Sequence, residues 1–206
     1  MRRLRILCLH GYHGSANILR QQMEPLFGDL RSAVDFVEVD APAKAHGDFG
    51  WWHGNFPSSH GAFRNWDLTR DRIVELFEEK GPFDGVFGFS QGAALTGLLA
   101  GLRAPDGKVS ARTPISFEFA IMAGGFLSEA PAHQELYAAK AGYRIPSIHL
   151  IGTSDLVVRP ADSLSLAGQF ESPEILEHPG GHVISAAPAI RERVATFLGT
   201  WQSATT

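Results

Sequence analysis

The chain has 206 residues, 44% of them hydrophobic and 19% charged, and a formal net charge of -4. That is enough apolar material for one sizeable core, and it excludes a disordered or fibrous chain. The acidic balance leaves no basic stripe for nucleic acid, the single Cys8 excludes an internal disulfide framework, and no apolar run reaches the length of a membrane span.

The first predicted element is a strand over Leu4–Leu9. The run is short, ends in His10-Gly11 and lacks a small-residue cleavage site, so it reads as a strand and not as a secretory signal. Cys8 inside it reads as a small buried thiol. A single soluble, cytoplasmic domain over residues 1–206 is expected. Helical periodicity then covers Ala16–Phe27, and a second strand covers Val34–Val39.

The connection over residues 40–66 is too long for a turn and is rich in Gly, His and aromatic side chains, including Phe49. Loops of this length are functional or disordered in compact domains, and so many aromatics argue against disorder. The segment is predicted to be a lid or pocket wall, with Trp51, Trp52, Phe56, Phe63 and Trp66 binding substrate. The alternative is that these rings merely cover a sheet edge.

Helices are predicted next at Leu68–Glu79, Gln91–Leu102, Ala132–Ala139, Ala161–Gln169 and Pro188–Trp201, with Pro188 suited to a first turn. Strands alternate with them at Phe83–Gly88, Phe117–Ala123, Ile145–Ile151 and Glu174–His178. Apolar strands separated by helices predict an α/β fold, a mainly parallel, doubly wound sheet of about six strands covered on both faces.

The sharpest motif is Gly88-Phe89-Ser90-Gln91-Gly92, lying between a strand and a helix rich in Ala and Leu. This is the G-x-S-x-G nucleophile elbow in its required context, with Ser90 exposed at a helix N-terminus where a developing anion is favoured. The structural alternative is a helix-capping serine at a small-residue contact. A serine nucleophile needs a base, and the base needs an orienting carboxylate. Both are expected later in the chain, after successive strands. Asp155 follows Pro146-Ser147-Ile148-His149-Leu150-Ile151-Gly152, whereas its competitor Asp162 lies beyond Pro160 in a helix. His182 ends His178-Pro179-Gly180-Gly181-His182, where two glycines let the loop fold back, and His178 reads as structural.

For the oxyanion hole, the expected donors are the backbone N–H groups of Gln91 and Tyr12, the latter in His10-Gly11-Tyr12-His13-Gly14 after the first strand. A sheet of order 2-1-3-4-5-6 makes the strands ending near Tyr12 and Ser90 neighbours at the topological switch point. A phosphate loop is excluded, because His10–Ser15 lacks the Walker A spacing and its Lys. Pro-Gly-Gly between His178 and His182 forbids a helical zinc-binding pair, and a metal site recruiting His46, His53 or His60 is not expected.

These segments resemble the FSH family of serine hydrolases within the α/β-hydrolase superfamily. The match runs from Leu7-Cys8-Leu9-His10-Gly11 through Gly81–Ala93 and Pro146–Gly152 with Asp155 to His178–His182. Ile121-Met122-Ala123-Gly124-Gly125-Phe126 is similar to a family turn that usually reads Ser-Gly-Phe, with Gly124 where Ser would stand. The resemblance implies a triad of Ser90, Asp155 and His182, and hydrolysis of carboxylic esters. It also admits thioesterases that release acyl or polyketide chains.

The resulting expectation is a serine hydrolase without metal or cofactor, acting on a small-molecule ester through an acyl-enzyme. The alternative is a thioesterase freeing an acyl chain from an acyl-carrier partner. A non-catalytic ligand-binding module on the same fold is the remote third reading.

Overall fold

The computed structural model describes residues 3–45, 48–54, 63–103, 114–137 and 142–203. Six strands form one sheet: β1 (Leu4–Leu9), β2 (Val34–Val39), β5 (Gly85–Phe89), β6 (Phe119–Ala123), β7 (Ser147–Gly152) and β8 (Pro173–His178). Its order is β2-β1-β5-β6-β7-β8, and every pairing is parallel. Counting only these six, the order is the expected 2-1-3-4-5-6. The central strands are buried along their whole length because helices cover both faces.

Alternation along β1 assigns the two halves of the core. Leu4, Ile6 and Cys8 join α1 (Ala16–Phe27) and α6 (Pro188–Ser203) through Leu19, Met23, Phe27, Val194 and Leu198. Leu7 and Leu9 face α2 (Trp66–Lys80), α3 (Gln91–Leu102) and α5 (Pro160–Ala167), meeting Ile73, Leu76, Leu95, Leu98 and Leu166. α3 is buried from Gln91 through Ala100, so its Ala- and Gly-rich composition lets it lie close against the sheet. Cys8 is buried with Sγ toward the Ile6 carbonyl, and burial pushes its thiol pKa up.

Three differences from the sequence reading have physical causes. The predicted helix over Ala132–Ala139 is only α4 (Pro131–Gln134) with a 3-10 turn at Glu135–Tyr137, and its last two residues lie outside those described. α2 begins at Trp66, ahead of Leu68, because Trp66 packs against Trp52 and His133, contacts between distant segments that leave no local period. Between β2 and α2 runs an unforeseen antiparallel pair, β3 (Ala43–Ala45) with β4 (Asp48–Gly50). Three-residue strands are too short to show alternation.

Among the described residues of the 40–66 segment, one backbone bond reaches the turn after β1 and two more join parts of the segment to each other. Phe49 N–H donates to Gly14 O at 3.2 Å, and His53 and Arg64 exchange backbone hydrogen bonds at 3.1 and 2.9 Å. Among the described residues no helix is long and apolar enough to cross a membrane.

Candidate active site

β5 delivers the chain into the turn at Ser90, whose φ of 54° and ψ of -117° lie in a region costly for a side-chain-bearing residue. The strain is held by Ser90 N–H on Ala123 O at 2.9 Å and Ala94 N–H on Ser90 O at 3.0 Å. The flanking glycines explain the motif's spacing. A Cβ on Gly88 would lie 2.3 Å from Gly92 O, and one on Gly92 would lie 2.0 Å from Leu9 O. No other residue lets α3 pass so close to the ends of β1 and β5.

Asp155 stands in the turn after β7 and is 4% exposed. Its Oδ1 accepts Val157 N–H at 2.8 Å and Val158 N–H at 2.9 Å, and its Oδ2 lies 2.6 Å from His182 Nδ1. Two backbone donors hold the carboxylate in one orientation, and a carboxylate acceptor fixes the proton of a neutral imidazole on Nδ1. His182 Nε2 is then the basic nitrogen. His182 lies in the loop after β8, with its ring tilted against Phe89 at 4.9 Å. A Cβ on Gly124, which has φ +55°, would come within 2.9 Å of the imidazole. The residue before Ser90 and the residue after its backbone partner Ala123 therefore both touch His182. Asp162, in α5, pairs with Arg159 at 3.0 Å on the surface. His178 ends β8, buried, accepting Gly180 N–H at 3.2 Å, and burial lowers its pKa.

Opposite this pair lies the turn after β1. Gly14 N–H closes on Gly11 O at 3.0 Å, and a Cβ on Gly11 would meet Ser90 Cβ at 3.2 Å. The peptide that carries the Tyr12 N–H thus abuts the Ser90 turn. His10 is buried beneath it. Its Nε2 accepts Ala41 N–H at 3.1 Å, so its proton sits on Nδ1, which donates to Gly11 O at 2.7 Å. Burial lowers the His10 pKa and keeps this tautomer neutral.

Two aromatic side chains of the 40–66 segment, Trp51 and Trp52, are placed differently from the sequence expectation. Trp51 is wholly buried and Trp52 is 4% exposed, so both are core residues and offer almost no surface to a substrate. Trp51 gives its indole N–H to His10 O at 2.8 Å and its backbone N–H to Gln91 Oε1 at 3.0 Å. Trp52 packs against Trp66 at 6.4 Å and His133 at 5.0 Å. Phe63 and Trp66 keep partial exposure, and the Tyr12 ring is exposed beside His53. Phe56, His46 and His60 lie outside the described residues. Among the described residues no group of three His, Cys, Asp or Glu side chains is disposed to hold a metal.

The sequence reading missed the side-chain roles of Gln91, His10 and Thr69, whose hydroxyl donates to Trp51 O. Side-chain bonds to distant backbone have no sequence period and leave no local signal. It also missed the buried His133, whose Nδ1 meets Ser128 Oγ at 2.7 Å and whose pKa burial lowers to about 4.

A parallel six-stranded sheet with a strained Ser in G-x-S-x-G between β5 and α3 defines the α/β-hydrolase fold. The Zea mays acyl-protein thioesterase 2 structure aligns with a TM-score of 0.70 over 98% of this chain and 95% of its own, and at 19% identity that likeness is one of fold. The sequence is 30% identical to Esterase OVCA2 of Danio rerio over 97% of this chain and 98% of that one, and 31% identical to Esterase CG5412 of Drosophila melanogaster over 97% and 74%. The family model for serine hydrolase (FSH1) matches residues 1–194, and the chain belongs to that family of hydrolases.

Proposed function

We propose that this hydrolase cleaves a carboxylic ester through an acyl-enzyme on Ser90. The observation that carries the reading is the Asp155–His182 pair at 2.6 Å, whose imidazole lies against Phe89, the residue before the strained serine, and against Gly124. Ser90 Oγ attacks the acyl carbon while His182 Nε2 takes its proton. Asp155 holds the imidazole tautomer and stabilises the imidazolium. The tetrahedral oxyanion receives the N–H groups of Gln91 and Tyr12, at the ends of neighbouring strands. Collapse expels the alcohol, protonated by His182, and water then attacks the acyl-enzyme with His182 again as base. These steps draw on side chains, backbone amides and water.

Phe63 and Trp66, half-buried at the edge of the 40–66 segment, carry the apolar surface we assign to the acyl group. The relatives are named esterases, which favours an oxygen ester. The same machinery accepts a thioester, and only in that case is an acyl-carrier partner implied. Purified Ser90→Ala should lose about a million-fold in turnover on p-nitrophenyl esters. Parallel ester and acyl-thioester series of graded length then decide the leaving group. Retention of more than a few percent of activity would move the nucleophile elsewhere.

A further inference from the structure

The two backbone donors assigned to the oxyanion come from different segments. The β1–β5 ladder ends at Leu9 opposite Gly88. Beyond it no strand pairing sets residues 10–12 against residues 90–91, and their relative placement is left to the close packing at Gly11 and Gly92 and to side-chain hydrogen bonds.

Trp51 and Gln91 supply that link. The Gln91 side-chain amide is buried and uses both ends: Oε1 accepts Trp51 N–H at 3.0 Å, and Nε2 donates to Trp52 O at 2.8 Å. Trp51 in turn gives its indole N–H to His10 O at 2.8 Å, and its ring tilts over the His10 imidazole at 5.1 Å. That imidazole donates to Gly11 O at 2.7 Å. Gly11 C=O and Tyr12 N–H belong to one planar peptide, so holding the oxygen sets the direction of the N–H. Thr69 anchors the far side of the link through Trp51 O. One continuous chain of hydrogen bonds therefore runs from the residue bearing the first amide to the peptide bearing the second.

A merely space-filling residue would need none of this. A buried amide or indole N–H costs stability unless paired, and an apolar side chain of similar size would fill the volume more safely. In dry surroundings each bond admits one geometry, since water cannot substitute for a lost partner.

We propose that Trp51 and the Gln91 side chain are positioning residues that hold the Tyr12 and Gln91 amides in register on the oxyanion. The inference rests on the assignment of those two amides as oxyanion donors. Its signature is kinetic, because misplaced donors weaken the transition state more than the bound substrate.

The test measures kcat, KM, Tm and the rate of fluorophosphonate labelling for Trp51→Phe and Gln91→Met on a short p-nitrophenyl ester. Phe27→Leu, a wholly buried change on the opposite face of the sheet, serves as the core control, and Ser90→Ala runs in parallel. We expect kcat and labelling rate to fall by about 10–100-fold, given the cost of lost or misplaced donors, with KM changing by no more than about threefold. Phe27→Leu should lower Tm and leave kcat near wild type. The proposal is overturned if Trp51→Phe and Gln91→Met behave as Phe27→Leu does, or if neither folds, which would make both residues core residues first. An active Ser90→Ala protein would instead sink the underlying mechanism, so the two failures are distinguishable.

Discussion

Gly92→Ala is the sharpest structural perturbation available, because one methyl group meets only backbone. The added Cβ would lie 2.0 Å from Leu9 O, 2.5 Å from Leu9 C and 2.7 Å from His10 O. Real Cβ contacts stay beyond 3.0 Å, so α3 and the end of β1 must separate by about 1 Å. Leu9 sits inside the sheet between β2 and β5 and has little room to yield. Overpacking of this kind costs about 1–3 kcal/mol or more, or about 2–12 °C in Tm for a domain of this size. The same shift carries Ser90 and Gln91 away from Tyr12 and His182, and a misplacement of about 1 Å costs about a hundred-fold in rate. The assay is kcat/KM on p-nitrophenyl acetate with thermal melts. Gly199→Ala provides the contrast: a Cβ there meets nothing within 4 Å, and replacing a helical Gly should stabilise by about 0.5–1 kcal/mol with activity unchanged. A Gly92→Ala protein with wild-type rate and Tm would refute the packing argument for the elbow.

Asp155→Asn should keep the loop but favour the wrong imidazole tautomer, lowering kcat about ten-thousand-fold at neutral pH; Asp162→Asn should leave the rate near wild type, and the reverse ranking would reassign the acid. Phe63→Ala should lower kcat/KM for long acyl chains relative to acetyl, since about 0.8 kcal/mol is available per buried methylene, whereas an unshifted acyl-length profile removes Phe63 from the pocket. Burial lowers the pKa of His133 to about 4 and of His149 to about 3, while the unfolded chain restores both to 6.5. The unfolded state then binds the extra protons, so stability present above pH 6.5 is lost as pH falls toward those values, at up to about 1.4 kcal/mol per pH unit for each histidine. Denaturant midpoints between pH 7 and 4.5 should show this slope, flattened by about one proton in His149→Gln; an unchanged slope in that variant contradicts the assignment.

The main strands and the strained serine turn were legible because each carries a local signal. Leu4–Leu9 is apolar apart from Arg5, Val34–Val39 is apolar apart from Asp35 and Glu38, both are of strand length, and G-x-S-x-G encodes a backbone shape through its two glycines. That Asp155 and His182 would meet was readable from their places after β7 and β8. What stayed hidden depends on contacts between distant segments. Trp51 and Trp52 resemble pocket aromatics in composition, yet α2, α3 and the β1 turn close over them and make them core. Gln91 and His10 act through bonds to backbone some 30 to 40 residues away, a separation that no periodicity registers. The β3–β4 pair, whose Phe49 also bridges to Gly14, consists of three-residue strands too short to show alternation.

The central claim is that Ser90 is the nucleophile, and its most direct test is covalent labelling with a fluorophosphonate followed by peptide mass spectrometry. One adduct per chain on the peptide containing Gly88-Phe89-Ser90-Gln91-Gly92 is expected, with the label lost in Ser90→Ala and strongly slowed in Asp155→Asn. An adduct on another residue, or undiminished labelling of Ser90→Ala, would contradict it.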